Sequence, residues 1–154
     1  MKLYLVQHAK AASKEADPLR GLTEEGRQEV EKISEFVRPL NICVDCVWDS
    51  GKKRSVQTAE ILAEVVEIKD AHTTRKGLEP NDDVTQLKDE LVSIERDVMI
   101  VGHLPFLNKL ASLLLSGRES SDMVAFRQGG IVCLNRSEPD QWQIDWMVTP
   151  ELLA

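Results

Sequence analysis

Two short apolar runs constrain this chain more than any other feature: Leu3-Tyr4-Leu5-Val6 and Val98-Met99-Ile100-Val101. Each stops abruptly on a histidine, the first as Gln7-His8 and the second as Gly102-His103. Runs this short and this continuously apolar read as strands of a parallel sheet covered on both faces, because a helix needs more length and a half-exposed strand would alternate. Side chains at the carboxyl ends of such strands face the crevice where open α/β sheets bind ligands. Both histidines are therefore expected at one edge of the sheet, next to helix starts. The plain alternative is a histidine satisfied at a strand end with no chemical role.

The stretches between these runs supply the other layers. After the first strand, residues 12–21 read as a polar loop containing Asp17-Pro18 and Arg20, crossing the mouth of the site. Thr23 is placed to cap a helix, Glu24 and Glu25 suit its positive end, and Val30, Ile33 and Val37 recur at helical spacing until Pro39. A strand over about Val44–Trp48 ends in Asp49-Ser50-Gly51-Lys52-Lys53-Arg54, which opens a helix with Val56, Ala59, Leu62, Ala63 and Val66 as its buried stripe. Residues 67–80 have room for a short edge strand. Residues 82–94 read as a helix with Val84, Leu87 and Leu91 inward. Pro105 suits the first position of a helix that buries Phe106, Leu110, Leu113 and Leu114 and stops at Gly117. The last third changes character. Residues 123–127, 130–134 and 141–147 read as short strands, at least one antiparallel, with Trp142, Ile144 and Trp146 on one face and turns at 128–130 and 135–140. The expected fold is α/β: a three-layer sandwich whose central sheet is mostly parallel with an antiparallel strand, and whose helices cover both faces.

With 154 residues, 42% of them hydrophobic, the chain fits one domain over 1–154 and is too short for two comfortable ones. Only Lys2 stands between Met1 and an apolar run that breaks within a few residues, so neither a signal peptide nor a membrane span is expected, and a cytoplasmic location is. A formal net charge of −7 argues against nucleic acid or an anionic membrane as a general partner. Any anion must instead be met by a local basic pocket. Three cysteines do not suggest a disulfide framework, and Cys43 and Cys46 read as strand residues rather than a redox pair or half a zinc site.

Arg54 lies in the first turn of its helix, where the helix dipole disfavours a cation, so an anion is expected there; free amides plus a guanidinium form a phosphate receptor. A solvated basic turn with no ligand is the other reading. Together His8, Arg54 and His103, with Gln7, Ser50, Arg20 and Lys10 around them, suit phosphoryl chemistry. One histidine acts as nucleophile while cations and hydrogen-bond donors hold the equatorial oxygens. The same set also suits anion binding without catalysis. A metal or other cofactor is not expected, because no carboxylate or third histidine has suitable spacing and an arginine would repel a cation.

The pattern resembles the histidine phosphatase superfamily, whose first strand ends in Arg-His-Gly or Arg-His-Ala. Here the triplet is Gln7-His8-Ala9. Leu22-Thr23-Glu24-Glu25-Gly26-Arg27 resembles the superfamily's L-T-x-x-G-x helix start, Ser50 through Arg54 to Gln57-Thr58-Ala59 its S-x-x-x-R-x-x-Q-T-A segment, and Val101-Gly102-His103-Leu104-Pro105 its second-histidine turn. The short length is most similar to the SixA-type phosphohistidine phosphatases. The resemblance implies a metal-independent phosphatase that acts on a phosphorylated protein, such as a phosphorelay histidine domain, through a phosphohistidine enzyme intermediate. His8 would attack phosphorus. Arg54 and His103 would act on the phosphoryl oxygens, and Gln7, Ser50 and Arg20 would complete the phosphate site. Other members use an acidic residue to protonate an alkoxide, and Glu79, with Asp82 behind it, is the nearest candidate. An imidazole leaving group needs less help, because its pKa is near neutral.

The departure is Gln7, which brings neither the charge nor the fork of an arginine; Lys10, Arg20 or Lys53 are candidates to restore the charge. A non-catalytic phosphate- or phosphoprotein-binding protein of the same fold is therefore a second expectation. A small-molecule phosphomonoesterase is a third, set back by the missing acid and by the lack of insertions to enclose a metabolite.

Overall fold

The two apolar runs form the centre of the sheet. In the computed structural model, which describes residues 1–153, β1 (Lys2–Gln7) and β4 (Val98–Gly102) pair in parallel, with Leu3 opposite Val98 and Gln7 opposite Gly102. Leu3, Leu5, Val6 and all four residues of Val98–Val101 are fully buried. Burying a side chain of this kind contributes roughly 1.5–3 kcal/mol, so burial alone holds these two strands firmly in the sheet.

Around them the sheet runs β3-β2-β4-β1-β5-β6, with β2 (Cys43–Asp49) and β3 (Glu67–Thr74) parallel to β4, and β5 (Ile131–Glu138) antiparallel to both β1 and β6 (Gln141–Val148). Only β5 runs against the other five strands. Two helices lie on each face. Helices α1 (Glu24–Val37) and α2 (Lys53–Ala63) bury Val30, Ile33, Val37, Ala59 and Leu62 against one; α3 (Thr85–Ser93) and α4 (Phe106–Ser116) bury Leu87, Leu91, Phe106, Leu107 and Leu110 against the other. The expected three-layer sandwich is the observed one. The chain leaves β1 towards α1 and leaves β4 towards α4, so the connections after these neighbouring strands depart to opposite faces and open a crevice between their carboxyl ends.

Local chemistry accounts for the helix ends. Thr23 caps α1 by accepting from the Gly26 amide at 3.0 Å, and Asp83 accepts from the Thr85 amide at 2.9 Å, which starts α3 three residues later than the pattern suggests. Gly26 also sets how closely α1 can pack. A Cβ there would overlap the Lys10 carbonyl, so only glycine lets the helix approach the segment that follows His8. Gly117, with φ of 79°, ends α4. Pro105 stands one position ahead of α4, as its N-cap, rather than at the first helical residue.

Five sequence expectations are corrected. The inner stripe of α2 is Ser55, Thr58, Ala59 and Leu62, while Val56 and Ala63 are only half-buried and Val66 lies beyond the helix. Leu113 is only partly buried, and Leu107 and Ala111 fill the inner face of α4 beside it. Residues 123–127 are not a strand. Val124 and Phe126 are buried and Met123 is exposed, so the alternation exists, but no strand lies alongside to complete a ladder. The turn expected over 135–140 shrinks to Pro139-Asp140, because β5 continues to Glu138 and faces Gln141 directly. Finally, Trp142 and Trp146 do not share a face. A bulge in β6 sets Cys133 opposite Trp146 but Leu134 opposite Ile144, which flips the alternation. Trp142 then joins the α3/α4 layer, whereas Trp146 packs beside Tyr4 in the α1/α2 layer with ring centroids 6.1 Å apart. Cys43, Cys46 and Cys133 are all free thiols.

Candidate active site

At the carboxyl edge of the sheet, the register that sets Gln7 opposite Gly102 also brings His8 beside His103. The His8 amide donates to the Gly102 carbonyl at 2.9 Å, and the two imidazole centroids are 5.1 Å apart with their planes inclined at 52°. His8 is 8% exposed and His103 1%. Two strand-to-helix junctions thus bring both rings together at the carboxyl edge of the sheet.

The rings are anchored differently. His8 Nδ1 lies 2.7 Å from the Ala9 carbonyl oxygen. A carbonyl only accepts, so Nδ1 carries the proton and Nε2 keeps a free lone pair. Burial lowers the pKa of His8 to about 4; the Arg54 and Arg20 charges push the same way and the Ala9 carbonyl opposes them. The imidazole is therefore neutral at pH 7, with Nε2 in the form a nucleophile requires. His103 Nε2 is instead 2.6 Å from Ser50 Oγ, while its Nδ1 is buried without a partner. Ser50 Oγ also accepts from the Lys52 amide at 3.3 Å, and its hydroxyl proton remains able to donate to His103 Nε2. In that arrangement Nδ1 bears a proton free to donate to a ligand. Burial foremost, then the neighbouring His8, Arg54, Lys52 and Arg20, lowers the pKa of His103 to about 3.

Arg54, in the first turn of α2, has its Nε buried without a partner, and burial together with the Arg20 charge lowers its pKa. Arg54 and Arg20 line the same two adjoining grooves, and neither has an ion-pair partner among the described residues. Two unpaired guanidiniums side by side are held against their own repulsion, an arrangement that an anion would relieve. Arg20 adopts a left-handed backbone, φ 52°, and its Nε donates to the Ala12 carbonyl at 3.0 Å.

Of the three residues that might replace the charge absent at Gln7, Lys10 is paired with Glu25 at 2.6 Å and Lys53 with Asp17 at 3.6 Å. Arg20 is the one left free. Gln7 itself is 8% exposed and its Oε1 has no hydrogen-bond partner. Glu79 sits on the rim, 55% exposed and 3.1 Å from Lys52 Nζ, and Asp82 accepts from its backbone amide at 2.8 Å.

Two residues with no role in the sequence reading hold this arrangement together. Ser55 Oγ donates to the Val101 carbonyl at 2.7 Å and accepts from the Ser50 amide at 3.1 Å, tying α2 to β4 and to the turn that carries Ser50. Thr58 Oγ1 donates to the Arg54 carbonyl at 2.8 Å and accepts from the Ala9 amide at 3.1 Å, locking the residue after His8. The available signal was their spacing: with Ala59 and Leu62 they continue one helical face into polar residues, which are buried only when they have partners.

No protein-family model matches this sequence, and no curated protein sequence matches it. Solved structures do. The chain superposes on the protein histidine phosphatase SixA complexed with tungstate at a TM-score of 0.87, with 21% identity over 100% of both chains. It superposes on an alpha-ribazole phosphatase from Shigella flexneri at 0.75, with 14% identity over 97% of both chains. It superposes on a phosphoserine phosphatase from Entamoeba histolytica, solved with 3-phosphoglyceric acid, at 0.72, with 15% identity over 99% of both. At these identities the likeness is one of architecture: this chain is built on the fold shared by the SixA phosphohistidine phosphatase and the other histidine phosphatases among its structural neighbours.

Proposed function

We propose that this protein is a phosphohistidine phosphatase that needs no metal and works through its own phosphorylated His8. The observation carrying this reading is the pairing of a neutral, backbone-anchored imidazole, its Nε2 lone pair free, with a second imidazole 5.1 Å away and two arginines lacking carboxylate partners. The likeness to a SixA structure holding tungstate, a tetrahedral oxyanion, supports the same reading.

In the first step the His8 Nε2 lone pair attacks phosphorus, the phosphorus–nitrogen bond of the substrate breaks, and its electron pair returns to the leaving imidazole, which takes a proton from water. Charge spreads over the three equatorial oxygens, where Arg54, Arg20 and the His103 Nδ1–H donate. Water then attacks phosphorus, the bond to Nε2 breaks, and inorganic phosphate leaves with Nε2 restored. Ser50 acts through His103, holding the tautomer that presents Nδ1–H. Gln7 offers its amide to the phosphate as a neutral donor. Glu79, on the rim, is the carboxyl group available to a poorer leaving group, and an imidazole substrate makes little demand on it.

Steady-state phosphate release from a phosphohistidine peptide tests this. Turnover well above that for sugar and nucleotide phosphomonoesters is expected. Release from phosphomonoesters at equal or higher kcat/KM would point instead to a small-molecule phosphomonoesterase.

A specific observation favours a second reading, a non-catalytic oxyanion-binding protein. Gln7 places a neutral, partly unpartnered amide where the superfamily pattern has an arginine, and one lost preorganised donor costs roughly 10²–10³ in rate in well-studied sites. Restoring the charge separates the two. If the site is an enzyme slowed by Gln7, Gln7→Arg raises kcat by about 10-fold or more. If it is a binder, tungstate or phosphate binds while turnover of both forms stays at background.

A further inference from the structure

The two grooves that share Arg20 and Arg54 have volumes of about 630 and 390 Å³, and their walls carry five cations against three carboxylates in a chain whose formal net charge is −7. The mouth thus carries a local excess of cations in a chain that is acidic as a whole. Lys14, common to both grooves, is exposed and forms no ion pair among the described residues. Next to it Leu19 is 69% exposed, and it is not on a loose loop. Asp17 accepts from the Leu19 amide at 3.1 Å and the Gly21 amide at 2.8 Å, while Gln57 on α2 accepts from the Leu22 amide at 2.7 Å. The loop is pinned at both ends of its turn, so an apolar side chain is presented to solvent beside unpaired cations. An apolar group held rigidly beside unpaired cations is a surface that a partner of opposite charge can cover.

We infer that the loop over residues 13–20 is a docking surface for an acidic protein segment that carries the phosphorylated side chain into the site. Lys14 meets its carboxylates and Leu19 meets an apolar side chain among them. This rests on the phosphohistidine reading and adds to it a selection among phosphohistidine proteins by the charge of the surface around the modified residue. The chain's overall negative charge disfavours acidic partners at long range, so a local excess of cations at the mouth would also orient them.

The test uses two fluorescent peptides, each with one non-hydrolysable phosphoryl-triazole analogue of phosphohistidine, flanked by Asp, Glu and Leu in one and by Lys, Ser and Leu in the other. Anisotropy should show the acidic peptide binding about tenfold or more tightly at about 0.05 M salt, with the preference largely lost at about 0.5 M. Lys14→Glu should collapse the preference, Leu19→Ser should weaken both peptides, and Lys32→Glu, an equal charge change on the outer face of α1, should leave the preference in place. Equal affinity for the two peptides, tighter binding of the basic one, or an unchanged preference in Lys14→Glu would overturn the inference. So would displacement by a single-stranded oligonucleotide of equal charge at the same concentration, which would mark the mouth as a general polyanion site. Binding is read without turnover. Phosphate release from N-phosphoimidazole, measured separately on the unmodified chain, tests the phosphatase reading itself.

Discussion

The two histidine junctions look alike in sequence, yet they are held by chemically different partners. After β1 the ring of His8 is fixed by a backbone carbonyl, a group that no side-chain substitution removes and that permits only one tautomer. After β4 the ring of His103 is fixed by the Ser50 hydroxyl, which can donate or accept and which itself depends on the Lys52 amide and on Ser55. The difference fits the roles in the proposed mechanism. A nucleophile needs a lone pair that is always available, and the carbonyl secures that for His8. A phosphate donor needs a proton on its outer nitrogen, and a hydroxyl donating to Nε2 would leave that proton on Nδ1 of His103.

Substitutions that act on the shared anion should have the largest effect, because they bear on both junctions. Arg54→Ala is expected to lower kcat by roughly 10²–10³ with the fold intact, since its guanidinium has no structural ion pair to lose. A loss confined to KM would place Arg54 in ground-state binding only. A smaller effect separates the junctions. Ser50→Ala should cost about tenfold in kcat, the worth of one hydrogen bond, and nitrogen chemical shifts should show the His103 proton no longer confined to Nδ1 while His8 keeps its tautomer. Should the His103 tautomer stay fixed without the Ser50 hydroxyl, the contrast between the junctions fails.

The smallest effect concerns pH. Both imidazoles are held below their usual value of 6.5, to about 4 for His8 and about 3 for His103, chiefly by burial. In the free protein they remain neutral on acidification until well below pH 6.5. After correction for spontaneous hydrolysis, kcat/KM should be flat from about pH 8 to about pH 5 and fall towards 4 as His8 is protonated. Folding stability should begin to fall at a higher pH than the rate does. Between the folded and unfolded values the unfolded chain binds more protons, so stability rises with pH across that window and is lost as pH falls through it. A rate that falls with a midpoint near 6.5 would mean that His8 is not buried as described.

Much of this arrangement was legible in the sequence, and the exceptions have physical causes. The strand-to-histidine junctions, the Thr23 cap and the helices after β1 and β4 follow from local patterns that agree with the tertiary environment. The strand expected over 123–127 alternates correctly, but a strand exists only with a partner, and its neighbours are side chains of other layers. Trp142 and Trp146 separate because one bulge shifts the period of β6, which no residue count announces. The turn of α2 that brings Ser55 and Thr58 inward is invisible to a count of apolar residues alone, since hydroxyls qualify for burial only through partners on β4 and the His8 loop. At the site, His8, His103, Arg54 and Arg20 were identifiable by type and position. That Lys10 and Lys53 are occupied by Glu25 and Asp17, while Arg20 has no ion pair among the described residues, required knowing where their tips lie.

The central claim is that His8 Nε2, and not His103, takes the phosphoryl group. Rapid quenching in base during turnover of an N-phosphorylated substrate, followed by phosphorus NMR and peptide mapping, reads this directly. The account predicts an acid-labile phosphoryl group on Nε2 of His8, formed in the unmodified chain and in Ser50→Ala but absent from His8→Asn. Label on His103, on Nδ1 of His8, or on the His8→Asn protein at the same level would contradict it.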